Sequence, residues 1–193
     1  MDSHLPEYEL YAIRYAERDA RRSDHFIGGD PHDGPMPMDY FVWAAIGPER
    51  SFAIDTGFTA EVAAARGRRH LRCPAESLAL IGLDHNSVAD VILTHMHYDH
   101  VGTFHRFPRA QFHLQEVELH YTTGRYMRYP FLARSFEVAD VVGIEAPYIN
   151  VGEPSIACPD IDRQAHRRTP SIEVRQTRRC VGLSEQGHAY EAR

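Results

Sequence analysis

Lysine is absent from this sequence, and all 21 of its basic residues are arginine. Together with abundant alanine and glycine, that bias points to a GC-rich coding sequence and carries no direct chemical message. Cysteine is scarce. Cys73, Cys158 and Cys180 are odd in number, lie far apart and form no C-x-x-C pair, so they read as buried or incidental thiols rather than a disulfide framework. No apolar run approaches membrane-spanning length, and Met1 to Glu7 shows no basic stretch leading into an apolar one. A cytoplasmic protein with no membrane partner is expected. Positive charge is not in excess either: the formal net charge is −6, which argues against general attraction to nucleic acid or anionic lipid. What is present is ordinary for a globular protein, 43% hydrophobic and 25% charged residues. A length of 193 residues fits one domain with a substantial core if it is complete.

Hydropathy alternation predicts a strand over residues 7–15, with Tyr8, Leu10 and Ala12 on one side. Residues 14–24 are charge-dense, and 28–37 are rich in glycine and proline, which predicts an irregular loop. Two strands over 40–46 and 51–54 are joined by a turn at Gly47-Pro48. Thr59 is placed to cap a short helix over 60–66 that closes at Gly67, and Pro74 precedes a helix over 75–81 that ends at Gly82. Strands follow over 88–93 and 110–114, then a helix over 115–121 with Val117 and Tyr121 on one face. There is no internal repeat. Strands and helices alternate, so helices covering a sheet, an α/β class, are expected.

The most informative stretch is Thr94-His95-Met96-His97-Tyr98-Asp99-His100, directly after the apolar segment 88–93. Imidazole nitrogen and carboxylate oxygen are ligands that a borderline-soft divalent ion such as zinc accepts. In extended backbone, residues two apart project to the same side, so His95 and His97 can grip one ion together. Asp99 and His100 follow where the strand must end, and a turn there could aim them at a second, adjacent ion. Thirteen histidines in the chain make a chance cluster the alternative. H-x-H-x-D-H at a strand end is nevertheless far more specific than a lone pair.

That motif is the signature of the metallo-β-lactamase superfamily, and the chain resembles the superfamily's N-acyl homoserine lactonase branch. Residues 28–43, GGDPHDGPMPMDYFVW, resemble that branch's N-terminal loop and following strand. Ile54-Asp55-Thr56-Gly57 is similar to the early aspartate motif, and His95 to Gly102 carries the metal motif with its trailing V-G. Phe112-His113-Leu114-Gln115 and Gly124 to Pro130 also resemble the branch, so that the likeness covers roughly positions 7 to 145. It implies a four-layer αββα sandwich, with residues 1–150 as its N-terminal part and the metal site at one edge of two facing sheets. His95 and His97 would bind a first zinc, Asp99 and His100 a second. Asp55 would support a ligating histidine rather than bind metal, or would simply satisfy the turn beside Gly57. Thr94 is expected to hold local backbone. The implied activity is metal-dependent hydrolysis of a small-molecule ester or lactone, as in quorum quenching. A bound zinc lowers the pKa of its water from about 15.7 to about 7, and that metal-bound hydroxide would open the lactone ring. Asp99 is the candidate catalytic group, holding the hydroxide and carrying its proton. Oligomeric state is open.

The resemblance fails after about residue 151. Where the family has a G-G-H-T-P-G turn, this chain reads His166-Arg167-Arg168-Thr169-Pro170-Ser171. Arg168 stands where a ligating histidine belongs, and His166 is two positions off. Gly182 to His188 resembles the segment of the metal-bridging aspartate, with Glu185 as the nearest carboxylate, longer by a methylene. The family's late histidine has no counterpart before Arg193. Glycine codons begin GG, so a one-base offset can turn Gly-Gly into Arg-Arg. Residues 151–193 are therefore expected to be a frameshifted or divergent continuation, not a separate domain. The second half of the sandwich would be incomplete, an apolar sheet face and open edge would be exposed, and activity would be impaired. The alternatives are another hydrolase of the superfamily, acting on a thioester or other lactone, or a non-catalytic remnant. Elsewhere His113 reads as a strand-face residue, and Tyr121, Tyr126, Tyr129 and Phe131 as core packing before an acyl-chain surface. His32 and residues 36–40 fit either a substrate mouth or loop packing.

Overall fold

The computed structural model describes residues 7–145, 180–183 and 189–192. Its centre is a six-stranded mixed sheet built from β1 (Glu9–Arg18), β2 (Met38–Ile46), β3 (Ser51–Ile54), β4 (Arg69–His70), β5 (Asp90–Ile92) and β6 (Gln111–His113). The spatial order is β4-β1-β2-β3-β5-β6. β1, β2 and β3 pair antiparallel, whereas β3, β5 and β6 run parallel. β7 (Cys180–Leu183) and β8 (Ala189–Ala192) pair in a separate two-stranded ribbon. His166, Arg168 and Glu185 lie outside the described residues, and so does most of 151–193. No helix among the described residues is long and apolar enough to cross a membrane.

Helices cover one face of the sheet. From β2, β3, β5 and β6, the side chains of Tyr40, Val42, Ala44, Ala53, Val91 and Phe112 are buried there, and Phe58, Leu78, Met96, Val101, Phe107 and Ile144 join the same core. Burying one such large apolar side chain is worth about 1.5–3 kcal/mol. A solvent-exposed ion pair such as Arg14–Asp39 contributes about 0–1 kcal/mol, so this apolar layer decides the fold. On the opposite face Phe41 and Trp43 stay 38% and 43% exposed.

Helix α1 (Ala60–Ala65) starts where expected, with Thr59 Oγ1 accepting from the Val62 amide at 3.3 Å. The segment Glu76–Ile81 is a 3-10 helix rather than an α-helix, closed by Gly82 at φ 79°. Its tighter winding matches the Leu78 N to Ala75 O bond and the Ser77 hydroxyl donating to Pro74 O. Helix α2 (Tyr98–Val101) is one turn; α3 (Glu116–Thr123) and α5 (Val138–Glu145) have eight residues each, and α4 (Pro130–Ala133) four. In α3 the buried residues are Leu119 and Thr122, and Val117 is 67% exposed. The expected Val117–Tyr121 face is therefore not the buried one, because residues three apart on the next stripe meet the core instead.

The first expected strand is present as β1, shifted to Glu9–Arg18, and its buried residues are Ile13, Tyr15 and Ala16, on the side away from Leu10 and Ala12 until the pattern breaks. A register shift between Arg14 and Ala16 interrupts the alternation, which lets consecutive residues Tyr15 and Ala16 both face inward. Gly57, at φ 69°, sits against that point: an added Cβ would lie 2.6 Å from Pro74 Cγ and 2.9 Å from Tyr15 Cζ. Gly57→Ala is expected to cost about 1–3 kcal/mol through overpacking, and Thr59→Ala about 1 kcal/mol through the lost cap. Urea unfolding midpoints measure both, and a Gly57→Ala midpoint equal to that of the parent would contradict this packing.

Candidate metal centre

β3 and β5 run parallel, so the loops that leave their carboxyl ends lie side by side, the usual place for a site in an open α/β sheet. The first loop begins with Asp55, the one non-glycine among the described residues with positive φ, at 61°. Such backbone costs of order 1–3 kcal/mol and persists where its surroundings over-determine it. They do so here. The Asp55 amide donates to Ile92 O at 2.8 Å, and the Thr56 amide donates to His100 O at 2.6 Å. The Asp55 carboxylate is buried and accepts from the Thr94 amide at 2.8 Å, from the Thr94 hydroxyl at 3.0 Å, and from His100 Nδ1 at 2.8 Å.

The second loop carries the histidine motif. β5 ends at Ile92, so His95 lies beyond the strand rather than in its extension. His97 does have extended backbone, at φ −63° and ψ 151°, and forms the N-cap of α2, which carries Asp99 and His100. The three imidazoles pack together. Ring centres of His95 and His97 are 4.5 Å apart, and those of His95 and His100 are 3.8 Å apart. Asp99 Oδ2 lies 3.7 Å from His100 Nε2. Among the described residues, no group of three or more His, Cys, Asp or Glu side chains is spaced to hold a metal ion as it stands.

The donor chemistry nonetheless suits a divalent ion. With Nδ1 of His100 donating to Asp55, its Nε2 keeps a free lone pair. The Thr94 hydroxyl has one proton. When that proton goes to Asp55, His95 Nδ1, 3.0 Å from the same oxygen, meets it only as a donor. His95 then also presents Nε2 as a lone pair. Burial lowers the pKa of His95, aided by the neighbouring His100 and His97, and burial likewise lowers that of His97. Both favour the neutral form that a metal needs. For His100 burial acts the same way, but the hydrogen bond and charge of Asp55, with Asp99, outweigh it and raise the pKa.

Asp55 thus touches His100 directly, as its supporting reading requires, and its amide and carboxylate also satisfy the turn beside Gly57. Thr94 does more than hold backbone, since its hydroxyl reaches Asp55 and the rings of His95 and His100. His113 is a buried strand residue as expected, its Nε2 2.9 Å from Asp90 Oδ1. Tyr126, Tyr129 and Phe131 are 41%, 49% and 70% exposed, so core packing does not describe them. His32 is exposed and Tyr40 buried. Three residues at the site carried no motif signal. Tyr15 donates its hydroxyl to Asp99 O at 3.0 Å, Glu118 accepts from the Met96 amide at 3.3 Å, and the Phe136 ring stands 4.9 Å from that of His97. Burial, then the Asp99 charge, raises the Tyr15 pKa far above its ordinary value, so its hydroxyl stays a donor.

The family model of the metallo-beta-lactamase superfamily matches residues 36–176, and the chain belongs to that superfamily, whose fold its sheet and helices share. Among solved structures it is similar to a quorum-quenching N-acyl homoserine lactone lactonase, with a TM-score of 0.54 and 13% identity over 72% of this chain and 54% of that one. An N-acyl homoserine lactone hydrolase, solved with N-hexanoyl-L-homoserine bound at its catalytic metal centre, gives 0.54 and 13% over 72% and 57%. A probable metal-dependent hydrolase from Staphylococcus aureus gives 0.50 and 14% over 60% and 50%. At these identities the likeness is one of fold, and this chain spans about half the length of those proteins. No curated protein matches the sequence.

The Asp55–His100 contact yields a pH prediction. The folded-state pKa of His100 is raised, so the stabilisation it brings is fully present below the ordinary value of about 6.5. It is lost as pH rises through the folded-state value. Asp55→Asn removes the charge and turns one former acceptor into a donor facing a donor. In metal-free protein the variant should be less stable at all pH values, by about 1–3 kcal/mol from the unpaired group alone, with the larger deficit near pH 5.5 than at pH 9. Denaturant unfolding across pH measures this, and a deficit that grows with pH would contradict it.

Proposed function

We propose that this chain is a metal-dependent hydrolase acting on a lactone or related small-molecule ester, in the cytoplasm, with His95, His97, Asp99 and His100 as its metal ligands. The observation that carries this reading is the packing of three imidazoles against one another, with Asp55 and Thr94 at the Nδ1 atoms of His100 and His95 and the Asp99 carboxylate alongside. Two imidazoles sharing one tetrahedral ion hold their ring centres roughly 5 Å apart. The 4.5 Å separation of His95 and His97 is near that value, which supports assigning those two to the same ion. His100 and Asp99 would hold a second.

Zinc bound there supplies Lewis acidity toward the ester carbonyl and an activated water at neutral pH. The protein's part is positional. Asp55 fixes the tautomer and orientation of His100, and Tyr15 anchors the backbone of Asp99 through its carbonyl. In hydrolysis the oxygen of water joins the acyl carbon, the acyl C–O bond breaks, and a proton passes to the departing alkoxide. Asp99, 23% exposed and beside His100 Nε2, is the group placed to carry that proton at its carboxylate. The exposed Tyr126, Tyr129 and Phe131 offer apolar surface to a substrate. Arg168 stands where the resemblance calls for a further histidine, so His95 and His97 would hold that ion with one protein ligand fewer, and turnover is expected to be weak.

The test is hydrolysis by the zinc-loaded chain of an N-acyl homoserine lactone against an acyl thioester, followed by proton release. Slow lactone opening that a chelator abolishes, and that His97→Ala reduces at least about tenfold, is the expected result. Zinc uptake with thioester turnover alone would move the substrate class, and no zinc-dependent turnover of either would overturn the proposal.

A further inference from the structure

Four backbone amides fix the path of the histidine loop, and their partners come from different elements. The Leu93 amide donates to His113 O at 2.9 Å, the Thr94 amide to Asp55 Oδ1, and the Tyr98 amide to Ser135 O at 2.9 Å. Between them, the Met96 amide donates to Glu118 Oε2 at 3.3 Å. Met96 is the residue that separates His95 from His97, and its side chain is fully buried. A shift at its amide therefore moves both rings.

Glu118 is well placed to hold it. The carboxylate projects from the first turn of α3, where a negative charge is favoured by the helix dipole. The helix is seated on the core by Leu119 and Thr122. The side chain is half-buried, so its bond is shielded in part from water. Its charge also lies close enough to His97 to act on that imidazole. A hydrogen bond to an ionised acceptor is stronger than one between neutral groups. Among the described residues, no strand pairs with the loop at Met96 to do the same work.

We propose that Glu118 is a positioning residue for the metal centre, holding the Met96 amide so that His95 and His97 keep the spacing needed to share an ion. The inference deepens the metal reading above and rests on it only for its consequence, since the restraint on the loop exists without metal.

Amide hydrogen exchange on the metal-free chain tests the restraint, and zinc competition against a chromophoric chelator tests its consequence. Glu118→Ala should speed exchange at Met96 about tenfold relative to Val91 in β5, and weaken zinc affinity about 10–100-fold. Glu118→Gln keeps an acceptor oxygen at the same reach and should restore most of both. Unchanged relative exchange at Met96 in Glu118→Ala, or a Gln variant as loose as the Ala variant, would overturn the proposal. If the parent takes up no zinc while Met96 behaves as described, the restraint stands and the metal reading falls.

Discussion

The buried carboxylate of Asp55 is the interaction on which the site depends. A carboxylate removed from water must recover its lost hydration through hydrogen bonds, and among the described residues Asp55 does so with the histidine loop: the Thr94 amide, the Thr94 hydroxyl and His100 Nδ1. The geometry requires left-handed backbone at Asp55 itself. Aspartate tolerates that conformation better than most residues, and the adjacent Ile92 and His100 carbonyls secure the turn through the Asp55 and Thr56 amides. One residue thereby ties the end of β3 to the end of β5 and orients an imidazole.

The surrounding packing lets those loops approach so closely. Gly102 closes α2 against the first loop, where an added Cβ would lie 3.0 Å from Gly57 O and 3.1 Å from Phe58 Cα. Thr103 donates to Thr56 O at 2.6 Å across the same seam. Beneath it, Phe58 stacks on Tyr98 and meets Tyr15 and Tyr40 edge-on. The Arg66 guanidinium lies 3.8 Å from the Tyr98 ring centre and pairs with Glu137. Tyr98 sits between His97 and Asp99 in the chain, so this aromatic and cationic bed packs directly under the histidine loop. Close packing and hydrogen bonds from several elements thus converge behind the histidine loop.

Local patterns in the sequence revealed the helices capped by Thr59 and closed by Gly82, the strands β2, β3, β5 and β6, and the motif residues themselves. These signals are short-range: alternation, caps and glycines act within a few residues. Three features escaped that kind of reading. The buried side of β1 was hidden by the irregularity at Tyr15, which breaks a period-two pattern. The buried stripe of α3 depends on what it packs against, and Val117 lost that competition to Leu119 and Thr122. Tyr15, Glu118 and Phe136 reach the site from 84, 22 and 39 residues away from the residues they touch; no spacing rule encodes such meetings. The role of Asp55 was half legible, since I-D-T-G marked a turn but the fold was needed to aim its carboxylate at His100.

The account turns on whether the imidazoles that pack together in this fold share a metal. X-ray absorption at the zinc edge of the zinc-loaded chain reads this directly. Multiple-scattering features of two or more imidazoles per site, falling when His95 and His97 are both replaced by alanine, are the predicted result. A shell of oxygen ligands alone, unaffected by those replacements, would contradict it.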